Sequence, residues 1–331
     1  MSDARALSLI RLLADGHLHS GEELAQVLGL TRAAVWKFLH RLKDELGLGL
    51  IAERGRGYRL ARPIELLDAS RIRAALSPQT ASQLGGLAIH PVIDSTNAEL
   101  MRQAAGGTLD GSVCLAEYQT AGRGRRGRRW VSPFGVNVYL SVLWRYAGAP
   151  ATLSGLSLAL GVALAETLSD LGAQELALKW PNDLLWQGRK LAGVLIEITG
   201  ESQGPCHLVA GIGLNLEMTE DQAQAIDQPW VGLDEVLGVT KVRRNALVAH
   251  LLDGLFAAFA RYTDEGLAPF IERWRALDAY LGQGVCLVLG DQVIQGRYAG
   301  VTDQGALILE TDQGRRLFQS GELSLRTLAA R

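Results

Sequence analysis

The sequence predicts an α+β chain built from three parts. Two short helices around a glycine turn stand near the start, strand-like and helical segments alternate through the middle, and a run of short strands closes the chain. A chain of 331 residues is long enough for two or three domains. We place the predicted domains at 1–62, 63–282 and 283–331.

Composition excludes several classes of protein. The chain is 48% hydrophobic and 21% charged, which is typical of a globular protein, and no run of about 18 apolar residues predicts a membrane span. The first 16 residues carry charges inside their apolar stretch, which predicts an amphipathic helix rather than a signal peptide. Cys114, Cys206 and Cys286 form neither a disulfide framework nor a metal-binding spacing, so we expect a cytoplasmic location.

The N-terminal region predicts a helix-turn-helix. Ser20 and Thr31 can each cap a helix, and Gly29 supplies the turn between the two helices. The segment 50–60 follows as a strand hairpin with a basic tip, which is typical of the wing of a winged helix-turn-helix. The apolar side of the second helix is predicted to consist of Val35, Trp36, Leu39 and Leu42.

The charge of this region indicates a nucleic-acid partner. Residues 31–62 contain eight Lys or Arg side chains against three acidic ones, a net charge of +5 in a chain whose total is −2. A helix of this kind enters the major groove, and a basic wing can touch phosphate. A helical dimerisation or protein-docking module with a solvated basic face is the alternative. The residues predicted to contact DNA are Thr31, Arg32, Lys37, Arg41, Arg54 and Arg56.

A basic loop is the most unusual feature of the middle region. Five arginines and three glycines fall within residues 122–129. Glycine permits close approach of the backbone, and arginine offers a fixed fork of donors for phosphate or carboxylate. The loop is not a P-loop, and its match to the dinucleotide fingerprint fails because no helical pattern follows. A nucleic-acid-binding tract or a solvated loop remain as alternatives.

Other polar groups stand in unexpectedly apolar surroundings. The tetrapeptide 94–97, Asp-Ser-Thr-Asn, opens a helix, where its side chains can cap the helix or bind the polar head of a ligand. Lys179, Asp183 and Lys190 lie in two apolar strands, 176–186 and 189–197, joined by a turn at Gln187 and Gly188. Charges in such positions usually have a partner or a function.

The remaining segments are predicted to be structural. Helices are expected over about 151–171, 241–263 and 266–277. Short strands are then expected at 285–289, 292–296, 306–310, 317–318 and 323–325, with turns at Gly290-Asp291 and 303–305, and together they predict a small β-barrel.

Five motifs in a fixed order resemble the catalytic domain of biotin protein ligases. They are Asp94-Ser95-Thr96-Asn97, the loop from Gln119 to Trp130, Lys179-Trp180-Pro181-Asn182-Asp183, Arg189-Lys190-Leu191-Ala192-Gly193 and Gly211-Ile212-Gly213-Leu214-Asn215. With a helix-turn-helix in front, the chain resembles the bifunctional form that is also the biotin operon repressor. The resemblance implies a mixed-sheet catalytic domain like that of class II aminoacyl-tRNA synthetases and an SH3-like barrel at the C-terminus.

The resemblance also implies an activity. Biotin and ATP would give biotinyl-5′-AMP and pyrophosphate, and biotin would then pass to a lysine of a biotin carboxyl carrier protein. Mg²⁺ would be held mostly by phosphate oxygens, with Asp183 helping through water and with no protein metal site. The adenylate would order the basic loop and pair two chains through their sheets, so that a homodimer represses biotin genes at its operator DNA. The alternative is a ligand-sensing repressor that lacks ligase activity.

The same resemblance assigns roles to residues. Lys190, Arg123 and Arg125 would be catalytic. The biotin-binding residues would be Ser95, Thr96, Asn97, Gln119, Arg123, Gly124, Arg125, Trp130, Lys190 and Gly193. The ATP-binding residues would be Arg123, Arg125, Asn182, Asp183, Lys190, Asn215 and Trp230, with Glu322 and Arg326 assisting from the barrel.

Overall fold

The N-terminal unit is a helix-turn-helix with a wing. The computed structural model describes residues 4–200, 203–289, 292–319 and 324–327. Ser20 and Thr31 cap the second and third helices by accepting hydrogen bonds from Glu23 N and Ala34 N, and Gly29 makes the turn with a φ of 62°. The elements are α1 (Ala4–Leu13), α2 (Gly21–Leu28), α3 (Arg32–Leu46) and the antiparallel hairpin of β1 (Leu50–Glu53) with β2 (Gly57–Leu60).

The predicted apolar side of α3 is wrong at one position. Val35, Leu39 and Leu42 are buried as predicted, but the side of the helix that carries Trp36 faces solvent, and Trp36 is 49% exposed. Trp36 is one residue, or about 100° of helical rotation, away from Val35, so its ring points away from the core.

The central unit is built on a seven-stranded mixed sheet. Its strand order is β3-β4-β5-β9-β8-β7-β6; β3 and β4 are parallel and every other neighbouring pair is antiparallel. The strands are β3 (Gly86–His90), β4 (Ser112–Ala116), β5 (Val138–Tyr146), β6 (Leu176–Lys179), β7 (Asp183–Trp186), β8 (Arg189–Gly200) and β9 (Cys206–Leu214).

Helices cover both faces of this sheet. Because successive side chains of a strand point to opposite faces, Cys114 packs toward one helix layer while its neighbours Val113 and Leu115 pack toward the other. The helix α6 (Thr96–Ala105) covers the first face, and the layer on the second includes α7 (Leu156–Asp170) and α10 (Arg244–Glu265). The remaining helices are α4 (Ala69–Ala75), α5 (Pro78–Gln83), α8 (Glu220–Ala223), α9 (Leu233–Leu237) and α11 (Ala268–Ala276).

Several predicted elements have different bounds, and the strand predicted at 292–296, for example, extends to Val301. The segment 176–186, predicted as one strand, is the pair β6 and β7, because Pro181 has no N–H to donate to a sheet ladder and the chain turns there. The helix expected from about 151 begins only at Leu156, after Gly155 with a φ of 78°. Within the described part of the chain, no helix is long and apolar enough to cross a membrane.

The C-terminal strands form an antiparallel sheet in the order β13-β12-β11-β10-β14. This sheet docks on the central unit, where Trp180 Nε1 donates to Gly305 O at 3.0 Å. Closure into a barrel and the domain boundaries stay predictions, and the turn at Gly290-Asp291 and Glu322 lie outside the described residues. The strands are β10 (Gly284–Leu289), β11 (Gln292–Val301), β12 (Leu307–Thr311), β13 (Gly314–Phe318) and β14 (Ser324–Thr327).

Candidate functional site

A cavity of about 800 Å³ opens beside the central sheet. Its walls come from the start of α6, the basic loop, the turn after β6, and strands β8 and β9. Fourteen residues predicted to bind biotin or ATP line it, while the side chains of Glu322 and Arg326, predicted to assist, lie outside the described part of the structure. The fourteen are Ser95, Thr96, Asn97, Gln119, Arg123, Gly124, Arg125, Trp130, Asn182, Asp183, Lys190, Gly193, Asn215 and Trp230.

Buried polar side chains form one wall. Thr96 donates from both its N–H and its hydroxyl to Gln119 Oε1, at 2.9 and 3.2 Å. Asn97 donates through Nδ2 to Glu197 Oε2 at 2.9 Å and accepts at Oδ1 from Ser141 Oγ at 2.6 Å. These bonds hold each head group in one orientation, so this wall presents a rigid arrangement of donors and acceptors. Ser95 caps α6 from the same place.

Two glycines of β9 leave room for the Asn97 side chain of this wall and for the indole of Trp130. A Cβ atom at Gly211 would collide with Asn97 Oδ1, and one at Gly213 would collide with the indole of Trp130. These glycines therefore allow close approach to β9, and the groups that approach are side chains of this chain. Trp130 Nε1 is buried and has no hydrogen-bond partner among the described residues, which leaves a donor available beside the cavity.

Lys190 lies in the cavity wall beside Gly193 and Trp130. Its Nζ lies 2.8 Å from Asp183 Oδ1 and 5.3 Å from the centre of the Trp130 ring. Both backbone groups of Lys190 bond to one neighbouring segment, since Lys190 N donates to Pro229 O and Val231 N donates to Lys190 O. This ladder brings Trp230 to the cavity. Asn215 Nδ2 also donates to Lys190 O, at 3.2 Å.

The basic loop folds over the cavity as a short hairpin. Trp130 N donates to Gly122 O at 2.9 Å and Gly124 N to Arg128 O at 2.7 Å, while Arg126 and Gly127 make the tip with positive φ values of 57° and 72°. The side chains of Arg126, Arg128 and Arg129 are exposed to solvent, which fits a role in attracting an anionic ligand through their charge.

Arg125 is the arginine of this loop that turns inward. Its Nη1 donates to Asn182 Oδ1 at 3.3 Å, and its Nη2 is buried without a hydrogen-bond partner among the described residues. Burial lowers the pKa of Arg125, and the nearby carboxylate of Asp183 opposes that shift. A partly desolvated guanidinium with an unused donor is a strong binding group for an anion. Arg123 is half exposed, with Nη1 4.0 Å from Glu197 Oε1.

The described residues hold no group of three or more His, Cys, Asp or Glu side chains that could bind a metal ion. Asp183 and Asp227 are the acidic side chains of the cavity wall, and Asp183 is paired with Lys190. These groups fit a metal that arrives with its own oxygen ligands rather than a resident protein site.

Several supporting residues escaped sequence reasoning. Ser141 and Glu197 fix Asn97, and Ser132 accepts from Gln119 Nε2 at 3.1 Å. Ser141 stands between Leu140 and Val142, and a hydroxyl in this apolar stretch of β5 is the signal that could have found it.

A buried ion pair ties the base of the loop to the segment that leaves the wing. Arg244 Nη1 lies 2.8 Å from Glu117 Oε2, and both side chains are 3% exposed. Arg244 also donates to Glu65 O at 2.7 Å and to Asn137 O at 2.8 Å, and Glu117 Oε1 accepts from Leu67 N. Glu117 precedes the basic loop and Asn137 follows it. The Glu117–Arg244 pair therefore holds both ends of the loop and the segment 65–67 that leaves the wing.

The residues predicted to contact DNA lie together on the surface of the N-terminal unit. Arg32, Lys37 and Arg41 are exposed along α3, with Thr31 at its cap. Arg54 and Arg56 are exposed at the tip of the wing, where Arg56 Nη1 is 2.6 Å from Glu53 Oε2.

Comparison with known proteins covers all three parts. The family model "HTH domain" matches residues 5–59, "Biotin/lipoate A/B protein ligase family" matches 89–215, and "Biotin protein ligase C terminal domain" matches 280–326. The chain is 46% identical to the bifunctional ligase/repressor BirA of Salmonella typhimurium and 44% identical to that of Escherichia coli, each over 97% of both chains. The chain belongs to the BirA family of bifunctional ligase/repressors.

Structural similarity to this family extends to solved ligases. The biotin protein ligase from Aquifex aeolicus in complex with biotin and ATP superposes with a TM-score of 0.62 at 29% identity, covering 73% of this chain and 99% of that one. The resemblance to bifunctional biotin ligases and the predicted α+β fold with its N-terminal helix-turn-helix are confirmed. The catalytic, biotin-binding, ATP-binding and DNA-binding roles assigned to individual residues of this chain stay predictions.

Proposed function

We propose that this chain activates biotin with ATP, passes it to a lysine of a biotin carboxyl carrier protein, and represses biotin genes when the adenylate is bound. A carboxylate oxygen of biotin attacks the α-phosphorus, the bond to the bridging oxygen breaks, and pyrophosphate leaves. The acceptor amine then attacks the biotinyl carbonyl, loses a proton, and releases AMP.

The convergence of Lys190, Arg123 and Arg125 on one cavity is the observation that carries the proposal. The first step joins two anions, so positive charge must offset their repulsion and stabilise the charge that builds up in the transition state. Lys190 Nζ is held at 2.8 Å by Asp183 and keeps donors for the biotin carboxylate and the α-phosphate. Arg125 supplies its unused Nη2.

The two walls suit the two substrates. Ser95, Thr96, Asn97 and Gln119 are buried polar groups that would bind the biotin head, with Trp130 packing against it over Gly193. On the other side, the nucleotide would lie among Asn182, Asn215 and Trp230. Mg²⁺ would enter on the phosphates of ATP, where it offsets their charge, and Asp183 would contact it through water.

The carrier protein and a second copy would dock at an open strand edge. The strand β8 pairs with β9 from Ala192 to Gly200, but it pairs with β7 only from Arg189 to Gly193, so Ile196–Gly200 has one neighbouring strand in the described structure. Its Ile198 is 39% exposed. Such an edge can extend a sheet across a two-fold axis. We propose that adenylate binding under the basic loop favours this homodimer and thereby operator binding by α3 and the wing.

Biotin-dependent exchange of labelled pyrophosphate into ATP tests the proposal. The full chain should catalyse exchange, Lys190→Ala should lose at least about 100-fold in rate because a charge-stabilising donor is removed, and Lys43→Ala, which removes an exposed lysine of α3, should exchange normally. Full activity in Lys190→Ala would refute the role given to Lys190. Biotin-dependent DNA binding without any exchange would identify a sensor that lacks ligase activity.

A further inference from the structure

An aromatic side chain stands on the solvent face of the helix that is expected to enter DNA. Trp36 is the fifth residue of α3 and is 49% exposed. Val35 before it and Leu39 after it are buried in the N-terminal core. Nothing in the fold of this unit requires an indole at that position. Residues in the first half of a recognition helix are the ones that reach base edges.

His40 holds the exposed ring in place. The two ring centres are 4.1 Å apart with an interplanar angle of 37°. The His40 Nδ1 lies 2.9 Å from Trp36 O, and because a carbonyl oxygen only accepts, Nδ1 is the donor. The His40 ring is therefore tied to the backbone one turn earlier, and it restricts the rotamers of the indole. A restricted apolar surface loses little conformational entropy on binding.

The surroundings of this ring decide which partner it fits. Arg32 lies one turn before Trp36 and Lys37 is its neighbour, and both are exposed. An apolar surface between cations matches the major groove of a DNA duplex, where phosphates flank the base edges and the thymine 5-methyl group is the apolar feature. A second protein copy would bring these cations against their own equivalents, which costs free energy.

We propose that Trp36 is a specificity residue that packs its indole on a thymine 5-methyl group in the major groove, with His40 as its positioning residue. The inference rests on the proposed DNA-binding function and adds a base preference to it. Removing one buried methyl group from the complex should weaken binding about fourfold for each half-site.

The first experiment finds the preferred sequence. The full chain, with biotin and ATP, selects duplexes from a random DNA library, and the same selection is made with Trp36→Ala, Trp36→Phe and Leu109→Ala. Leu109 is an exposed leucine of the central unit and serves as the control. We expect the wild type, Trp36→Phe and Leu109→Ala to select a motif with a fixed thymine, and Trp36→Ala to lose that preference while it keeps the other positions.

The second experiment removes the methyl group itself. Deoxyuridine replaces the selected thymine, and affinity is measured by fluorescence anisotropy. The wild type should lose about fourfold per half-site, while Trp36→Ala should bind both duplexes equally. Equal binding of both duplexes by the wild type overturns the inference, as does a Trp36→Ala variant that changes only self-association in sedimentation. A wild type that selects no sequence at all would instead remove the DNA-binding function.

Discussion

The Glu117–Arg244 pair offers the sharpest test of how the site is held together. Arg244→Met keeps the length and much of the apolar volume of the side chain but removes its charge. The Glu117 carboxylate, 3% exposed, would then be buried without its cation, and the carbonyls of Glu65 and Asn137 would lose their donors. Removing one member of a buried pair costs about 3–5 kcal/mol, which is a large part of the stability of an ordinary domain.

The double variant separates charge from packing. In Glu117→Gln with Arg244→Met no charge remains buried, so we expect the double variant to recover about half of the loss seen in Arg244→Met alone. The free energy of unfolding is measured by urea denaturation followed by circular dichroism. Arg261→Met is the control, because its pair with Glu265 is more than half exposed, and exposed pairs contribute about 0–1 kcal/mol.

Two results would contradict this structural role of the Glu117–Arg244 pair. One is an Arg244→Met variant that is no less stable than Arg261→Met. The other is a double variant whose loss in the free energy of unfolding equals the sum of the losses in Glu117→Gln and Arg244→Met measured separately. Losses add in this way at independent sites but not at coupled ones.

Two further predictions concern packing and pH. Gly213→Ala should weaken biotin binding in calorimetry by about 5- to 150-fold, since overpacking costs about 1–3 kcal/mol and the new Cβ collides with Trp130. Gly86→Ala is the control and should bind normally, because its Cβ would make only an ordinary contact 3.7 Å from Ser112 Oγ. Burial raises the pKa of Asp278 from 3.8 to about 6, so its contribution to stability is present below pH 3.8 and is lost as the pH rises through about 6. Asp278→Asn should therefore be more stable than the wild type at pH 7 by about 1–2 kcal/mol, allowing for partial exposure, and equal stabilities from pH 4 to pH 7 would contradict the assignment.

The residues of the cavity were predictable because they come in short local motifs. Lys190 and Asp183 are charges in apolar strands, and the arginines of the basic loop are too dense to be accidental. Such residues can be recognised in a sequence because burying a charge costs free energy unless the charge has a partner or binds a ligand. The pairing of Lys190 with Asp183 was not predictable, because it depends on the register of the hairpin that joins β7 and β8.

Long-range contacts and orientations lay beyond the sequence pattern. Glu117 and Arg244 are 127 residues apart, and neither stands in a repeating pattern that would bring them together. Residue type predicts Trp36 on the apolar side of α3, whereas its helical angle turns it about 100° away from Val35. Its exposure shows that the helical angle, rather than residue type, decides which face of α3 a side chain lies on.

Transfer of biotin to a carrier protein is the decisive measurement of the ligase activity. The full chain is incubated with biotin, ATP, Mg²⁺ and the unmodified carrier domain of a biotin-dependent carboxylase, and the carrier is examined by mass spectrometry. We predict the gain of one biotinyl group on one lysine, dependent on both biotin and ATP and lost with Lys190→Ala. A carrier that stays unmodified while the wild-type chain binds biotin and ATP would contradict the account.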